Sequence, residues 1–333
     1  MPTALVTGAT GLVGSHVVER LQRDGWRVRA LVRDVARAEW LRGRGVELAA
    51  GDTLAASTLP PAIAGCDVVF HTAAAVTPTG GWESFRRPNI VGTGNVLQAA
   101  AAASARLVHV SSVAVYGARA RYGNPGERTS EETPLAPLGE HSWYARSKRE
   151  SEQLVLDAHK EGRLWATAVR PDVVYGERDR QFVPRVAGLL RFGVAPVVGG
   201  GGSTLAVVHA ANVADGMVRA ATHTDAGGRA YNLANDFDVT VSEFFRLAGE
   251  GLGKRLRFVS IPAPAARAVV RVAALATPAR LRSSLRQSVD FLTRDNPFTS
   301  ERARRELGWD PPVRPERGVV DAFRWFASRR ARQ

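Results

Sequence analysis

The chain has 333 residues, of which 45% are hydrophobic, enough to bury a large core in one or two domains. Its even composition is not that of a disordered protein, and no uncharged stretch reaches the length of a membrane span. Cys66 is the only cysteine, which excludes an internal disulfide and a cysteine-built zinc site, and we expect no metal. The first residues lack the features of a secretory signal, so we expect a cytoplasmic protein.

The formal net charge of +13 at pH 7 raises the question of a nucleic-acid partner. The positive side chains are scattered arginines, with lysine only at Lys148, Lys160 and Lys254, and no nucleic-acid-binding motif accompanies them. We therefore expect no nucleic-acid binding. The preference for arginine, alanine and glycine is typical of a GC-rich bacterial coding sequence.

Strand and helix patterns alternate through the first half of the chain. Apolar runs predict strands at 3–7, 27–32, 67–71, 106–111 and 165–170. Helical spacing predicts helices at 13–22, 89–103 and 144–158. This alternation predicts an α/β fold with a Rossmann-type, doubly wound parallel sheet and right-handed connections.

The second half is less regular and predicts a smaller, mostly helical substrate domain over the carboxyl edge of the sheet, where ligands bind in such folds. Its predicted elements are short strands at 206–209 and 230–233, a helix at 240–251 and a mainly helical stretch at 299–328. We place the dinucleotide-binding domain at 1–172, with 206–234 returning to it, and the substrate-binding region at 173–333.

A glycine-rich turn with GxxGxxG spacing lies between the first predicted strand and helix. Glycine allows the tight turn and the close approach of a phosphate, and the amides that open the helix face the anion. The turn predicts a dinucleotide site that includes Gly8, Thr10, Gly11, Leu12, Val13 and Gly14.

The end of the second strand distinguishes the two nicotinamide cofactors. Arg33 stands where an acidic residue would accept the ribose hydroxyls of NAD, and its planar guanidinium suits the 2′-phosphate of NADP. Arg37 adds a second charge one helical turn further on. We favour NADP(H); NAD(H) is the alternative, served by Asp34 if the register shifts by one residue.

Tyr144 and Lys148 are four residues apart and therefore share one face of a predicted helix. An ammonium beside a phenol lowers the pKa of the hydroxyl, which makes it an acid or base usable near neutral pH. The pair predicts a proton transfer beside the cofactor.

Seven motifs in the first two-thirds of the chain occur in one order, and together they resemble the extended short-chain dehydrogenase/reductase superfamily. They are the 7–14 turn, Gly51-Asp52, His71–Ala74, Asn89–Thr93, Ser111–Gly117, Tyr144 with Lys148, and Arg170–Gly176. The segment 296–309 is similar to the tail of the 3β-hydroxysteroid dehydrogenase and dihydroflavonol reductase branch.

The resemblance implies roles for individual residues. Tyr144 would be the general acid or base, Lys148 would lower the pKa of its hydroxyl and bind the nicotinamide ribose, and Ser112 would hydrogen-bond the substrate oxygen. Asn89 would order the active-site helix. The implied cofactor contacts also include Asp52 at the adenine, Thr53, Thr72, Ala73, Ala74, and the peptide groups from Pro171 to Val174. We expect His71 and His209 to be structural.

Two departures from the superfamily pattern narrow the reaction. Dehydratases carry Thr-Asp-Glu before Val-Tyr-Gly, whereas this chain has Ser112, Val113 and Ala114. Epimerases of nucleotide sugars place a pyrophosphate-binding arginine four residues before a strand-end histidine. In this chain the histidine is His209, and the position of the arginine is Leu205. Arg185, Arg191 or Arg282 remain as substitutes, so the epimerase stays an alternative.

Apolar segments surround the expected pocket, namely 76–79, 182–184 and 194–198, and we assign Thr77, Trp82, Ser112 and Phe182 to the substrate. We therefore expect an NADP(H)-dependent oxidoreductase that interconverts a ketone and a secondary alcohol on a steroid-, flavonoid- or lipid-like molecule. A catalytically silent cofactor-binding scaffold is a further alternative.

The arginine-rich segment 263–286 has two interpretations, a lid on the substrate domain, which we favour, or a helix on an anionic membrane surface. Helices 96–103 and 144–158 are candidates for pairing across a two-fold axis, so we expect a homodimer.

Overall fold

The computed structural model describes residues 1–77, 80–117, 128–262, 264–265, 268 and 291–330. Most of the segment 263–286 therefore lies outside the described residues, and so do Pro78 and Thr79 of the expected pocket.

Strands alternate with helices along the first half, as the sequence predicts. In chain order the strands are β1 Thr3–Thr7, β2 Arg27–Val32, β3 Glu47–Ala50, β4 Val68–His71, β5 Arg106–Val110, β6 Ala166–Pro171, β7 Val173–Tyr175, β8 Val194–Val198, β9 Val207–His209, β10 Ala230–Leu233 and β11 Arg257–Ile261. The helices are α1 Leu12–Arg23, α2 Val35–Arg42, α3 Leu59–Ile63, α4 Trp82–Arg86, α5 Gly92–Ala102, α6 Trp143–Lys160, α7 Phe182–Leu189, α8 Ala210–Thr222, α9 Val241–Gly251, α10 Glu301–Leu307 and α11 Pro315–Arg330.

The central sheet has seven parallel strands in the order β10-β6-β5-β4-β1-β2-β3. The order reverses direction at β1, which is the topological switch point of a doubly wound sheet. The predicted Rossmann-type fold is confirmed, and the carboxyl ends of the strands form one edge.

Both faces of the sheet are covered. Along β5, Leu107 belongs to the core beneath α3, α5 and α6, and its neighbour Val108 belongs to the core beneath α1 and α8. This alternation follows from the two-residue period of a strand. Because both faces are buried, the strands are nearly continuous apolar runs, which is why most of them were predictable from sequence.

The chain leaves the central sheet after Pro171. Strand β7 pairs with β9 and strand β8 with β11, both in parallel, beside helices that bury Tyr175, Phe244 and Phe323. The predicted C-terminal region, smaller and mostly helical, is therefore confirmed in outline. Strand β10 returns to the central sheet beside β6; the domain boundaries remain a prediction.

In strand β8, Ala195 and Val197 face the C-terminal core and are buried. The expectation that 194–198 lies at the substrate pocket stays a prediction. The strands β3, β7, β8 and β11 were not predicted. Strands β3 and β7 have only four and three residues, β11 is largely exposed, and Pro196 interrupts the apolar run of β8.

No helix among the described ranges has the length and hydropathy needed to cross a bilayer. Nor does any group of three or more His, Cys, Asp and Glu side chains in those ranges form a metal site.

Candidate active site

The register of the central strands brings the predicted motifs to one edge. Thr7 lies opposite His71, and His71 lies opposite His109. The residues that follow these three positions are therefore neighbours. They are the glycine turn, Thr72 and the two serines after β5. Sequence motifs more than 60 residues apart form one site because parallel strands end together.

The glycine turn is built for close backbone approach. Gly8 has a φ of 68°, and a Cβ there would lie 2.8 Å from the Ala73 nitrogen. A Cβ on Gly14 would lie 2.3 Å from the Gly8 carbonyl oxygen, so α1 packs against the turn only with glycine at that position. No side chain caps the start of α1, which leaves its first amides to an anion. These features fit a dinucleotide pyrophosphate.

Arg33 is the first residue after β2, and its side chain is exposed. Within the described part of the chain, no hydrogen bond or ion pair holds the Arg33 guanidinium. Arg37 is exposed too but forms an ion pair of 3.2 Å with Asp34. Asp34 also caps α2 by accepting the Arg37 backbone N–H, so this carboxylate already has a structural task.

The remaining predicted cofactor residues line the same edge. The Asp52 carboxylate accepts the Leu54 N–H at 2.9 Å, which fixes the turn after β3. The Thr72 hydroxyl donates to the Thr7 carbonyl at 2.6 Å, and this bond ties the 72–74 segment to the glycine turn. Thr53 is partly buried and Ala74 exposed beside these turns.

Lys148 projects from α6 into the interior, where 2% of it is exposed. Its ammonium donates to the Val110 carbonyl oxygen at 2.8 Å, at the end of β5. Burial lowers the pKa of Lys148 to about 8, against the opposing charge of Glu152. The ammonium is therefore charged at neutral pH and held beside the site.

Tyr144 is the second residue of α6 and is partly exposed, with its ring centroid 6.5 Å from that of Phe85 on α4. Phe85 was not predicted as a site residue. A helix of five residues with one buried aromatic gives too little periodicity to assign.

Ser112 is the second residue after β5 and is buried. Its hydroxyl oxygen accepts the Ala114 N–H at 3.2 Å and thereby caps the turn Val113–Tyr116. A hydroxyl also carries one hydrogen to donate. Ser112 can therefore donate a hydrogen bond to a substrate oxygen while its own oxygen still accepts the Ala114 N–H.

Asn89 connects the site to its support. Its carboxamide oxygen accepts the Ala75 N–H at 2.7 Å, and its NH₂ group donates to the Ala75 carbonyl and to the Ser147 hydroxyl, both at 2.9 Å. The contact with Ser147 connects Asn89 to α6 next to Lys148. Because both amide hydrogens are used within the protein and the residue is buried, we assign Asn89 a positioning role.

His71 and His209 are hydrogen-bonded within the fold, as expected. The His71 ring bonds the hydroxyls of Thr7 and Thr93 at 2.8 and 2.9 Å, and burial lowers its pKa to about 3. The His209 ring accepts the Ala211 N–H at 3.2 Å. Both imidazoles are neutral at physiological pH and serve the structure.

Comparison with known proteins identifies the family. The model of the NAD dependent epimerase/dehydratase family matches residues 4–234. The chain belongs to this family. It is thus a member of the extended short-chain dehydrogenase/reductase superfamily, as the motif order indicated, and an NAD(P)-dependent oxidoreductase of the ketone–alcohol type.

Two of the relatives align with this chain over nearly all of the chain's length. One is the 4-hydroxy-2-methyl-3-oxo-4-farnesyl-3,4-dihydroquinoline-1-oxide ketoreductase of Stigmatella aurantiaca, 35% identical over 96% of this chain and 95% of the relative. The other is the 3 beta-hydroxysteroid dehydrogenase/Delta 5-->4-isomerase of Mycobacterium tuberculosis, 28% identical over 97% and 90%. The crystal structure of gox2253 superposes with a TM-score of 0.76 at 29% identity and covers 99% of both chains.

The predicted substrate residues of this chain lie in different environments. Trp82 is half-buried beneath the Arg146 guanidinium, 4.3 Å from its ring centroid. Phe182 packs on Phe244 with ring centroids 5.8 Å apart, and Thr77 is exposed. Phe182 thus has a packing role that its sequence did not reveal.

A buried ion pair between Arg170 and Glu152 supports the site, and the sequence did not predict it. Arg170 at the end of β6 forms a fork with Glu152 of α6, at 2.9 and 2.6 Å, and also donates to the Tyr116 hydroxyl at 2.8 Å. Tyr116 in turn donates to Asn232 on β10. Arg170 therefore joins α6, the turn after Ser112 and, through Tyr116, the edge strand β10 of the sheet.

Replacing Arg170 by methionine is expected to destabilise the protein by about 3–5 kcal/mol, because the Glu152 carboxylate is left buried without a cation. Urea unfolding measures the change. Arg163→Met is the control, since its pair with Glu161 is exposed and should contribute less than about 1 kcal/mol. Equal effects of the two substitutions would contradict this role of Arg170.

Proposed function

We propose that the protein is an NADP(H)-dependent reductase of ketones on apolar small molecules, with Tyr144, Lys148 and Ser112 as its catalytic residues. The observation that supports the proposal is the position of three groups relative to the end of β5 and the start of α6. They are a buried ammonium held at the end of β5, a tyrosine one helical turn before it, and a serine hydroxyl with its donor hydrogen available.

Each residue has one task in this mechanism. Bound nicotinamide supplies the reducing equivalent. Ser112 donates a hydrogen bond to the carbonyl oxygen and so holds and polarises it. Tyr144 gives its phenolic proton to that oxygen as negative charge develops there, and the charge of Lys148 favours this transfer by stabilising the phenolate left behind. In alcohol oxidation the same groups work in the opposite direction.

The names of two relatives support the apolar substrate class, and a sequence feature argues against a dehydratase. The Stigmatella relative is named for a ketone that carries a farnesyl chain, and the mycobacterial relative for a hydroxysteroid. In this chain, the dehydratase acid pair is replaced by Val113, buried in the core, and by Ala114. The sequence therefore lacks the groups that would eliminate water.

The epimerase alternative has less support. Leu205, at the position of the pyrophosphate-binding arginine, is 1% exposed and packs in the C-terminal core. Of the substitutes, Arg191 lies over the Phe192 ring at the exposed end of α7, and Arg282 lies outside the described residues. Arg185 is exposed on α7.

Arg33 is the proposed reader of the NADP 2′-phosphate. We expect Arg33→Ser to weaken NADPH binding about 10- to 100-fold, because a charge-assisted hydrogen bond contributes about 1.5–3 kcal/mol, and to leave NADH binding unchanged. Calorimetric titration with both cofactors measures the effect. Arg27→Ser, an exposed arginine at the opposite end of the same strand, controls for net charge.

A deuterium label tests the reaction type. With a ketone and NADPH deuterated at C4, a reductase leaves the deuterium on the carbinol carbon of the product and forms one NADP⁺ per alcohol. An epimerase leaves the cofactor pool unchanged, and that result with a nucleotide sugar would overturn the proposal.

A further inference from the structure

An exposed apolar surface lies on the C-terminal region, remote in sequence from the motifs of the site. It consists of four side chains at the end of α7, on the turn that follows it and on strands β8 and β11. Phe192 is 78% exposed, and the other three are each about two-fifths exposed. The other members of this surface, which we call the β8–β11 surface, are Leu189, Val194 and Val259.

Two hydrogen bonds join the turn after α7 to the segment that leads into β11. The Arg257 N–H donates to the Gly193 carbonyl at 2.8 Å, and the Lys254 ammonium donates to the Arg191 carbonyl at 2.7 Å. Arg257 also lies opposite Val194 in the strand register. The two turns that carry the exposed side chains therefore form one unit.

The charge of the surface has one sign. Residues 186–200 and 252–262 contain no Asp or Glu, whereas they carry Arg191, Lys254, Arg255 and Arg257, all exposed. No acidic side chain among the described residues forms an ion pair with these four. The Arg191 guanidinium lies over the Phe192 ring at 4.4 Å, so cation and aromatic ring occupy the same point.

We propose that the β8–β11 surface docks on an anionic phospholipid bilayer. Exposed aromatic and aliphatic side chains surrounded by cations suit the boundary between acyl chains and anionic headgroups. A second copy of the chain is a poorer partner, because it would oppose four cations with four cations. The acid-free sequence also continues beyond Ile261, with five arginines between 263 and 289.

The β8–β11 surface lies close to the predicted substrate region. Helix α7 begins at Phe182, a predicted substrate residue, and ends just before Phe192. Eight helical residues span about 12 Å, so the surface lies about one short helix from that residue. An apolar substrate dissolved in the bilayer would reach the protein beside its substrate region.

The test uses the single cysteine of the chain. Cys66 is buried and its burial raises the pKa of the thiol, so a dye that reacts with thiols labels an introduced exposed cysteine instead. Phe192→Cys carries an environment-sensitive dye on the surface. Trp40→Cys is the matched control, since Trp40 is also an exposed aromatic beneath an arginine, Arg44, but lies on α2.

With vesicles of phosphatidylcholine and phosphatidylglycerol in equal amounts, we expect a blue shift and brighter emission from the dye at 192 and neither from the dye at 40. Lys254→Gln with Arg255→Gln should weaken vesicle binding about 30-fold, at about 1 kcal/mol for each cation. Phe192→Ser should weaken vesicle binding at least about tenfold. The control variant Trp40→Ser with Arg42→Gln removes an exposed aromatic ring and a cation from α2, and it should leave vesicle binding unchanged.

Three results would overturn the proposal. They are an unchanged dye at 192, vesicle binding that Phe192→Ser leaves at full strength, and self-association that Phe192→Ser abolishes in sedimentation without lipid. Vesicle binding is measured without ketone or cofactor. A failure of docking therefore leaves the proposed reductase intact, and a failure of reduction leaves the docking result intact.

Discussion

Replacing Tyr144 by phenylalanine is expected to lower kcat by about 10²–10⁴-fold, the usual range for removing a positioned general acid. The substitution removes one oxygen at a partly exposed position of α6, so the ring contact with Phe85 remains. Cofactor affinity should therefore stay nearly unchanged. Steady-state kinetics and NADPH titration of the same preparation measure both quantities.

The matched control for this substitution is Tyr231→Phe. The Tyr231 hydroxyl donates a hydrogen bond to Glu306 on α10, away from the proposed site. We expect little change in kcat from this control. Substantial residual activity in Tyr144→Phe, or an equal loss in the control, would remove Tyr144 from the proposed role.

Replacing Lys148 by methionine is expected to lower kcat at least about 100-fold and also to weaken cofactor binding about 10- to 100-fold. The first effect follows because the phenolate of Tyr144 loses its stabilising charge. The second follows because a charged hydrogen-bond donor to the ribose is lost. The two variants thus differ in their effect on binding, and unchanged cofactor affinity in Lys148→Met would contradict the assigned contact.

The pH dependence of Lys148 gives a second measurement on this residue. Burial lowers the pKa of Lys148 from 10.5 to about 8. Below pH 8 the folded protein holds a buried charge that the unfolded chain would solvate, so stability should rise as pH increases from about 8 to 10.5. Lys148→Met should lack this rise and be at least as stable as the parent at pH 7. Ketone reduction by the parent should fall above pH 8, as the ammonium loses its proton.

The elements and motifs of the cofactor half were predictable because local sequence determines them. The run Val68-Val69-Phe70 is buried on both faces and forms a strand as expected. Gly8 and Gly14 are required by backbone approach, and a strand before and a helix after them identify the turn. Tyr144 and Lys148 were recognisable because four residues make one helical turn.

The supports of the site were not predictable, since they depend on contacts distant in sequence. Arg170 and Glu152 are 18 residues apart, on different elements, and nothing local distinguishes them from other arginines and glutamates. Phe182 was predicted as a substrate residue from its apolar neighbours, and the packing of its ring on Phe244, which follows it by more than 60 residues, could not be predicted. Tertiary packing decides such positions, and a pattern within one segment does not contain it.

The proposed function is tested most directly by the loss of NADPH absorbance when the purified protein is mixed with a panel of apolar ketones. The panel includes 3-ketosteroids, flavonoid ketones and prenylated ketones, with NADH in parallel. We expect steady consumption that is faster with NADPH and is abolished by Tyr144→Phe. Measurable binding of NADPH without consumption across the panel, together with turnover of a nucleotide sugar at constant NADPH, would contradict it.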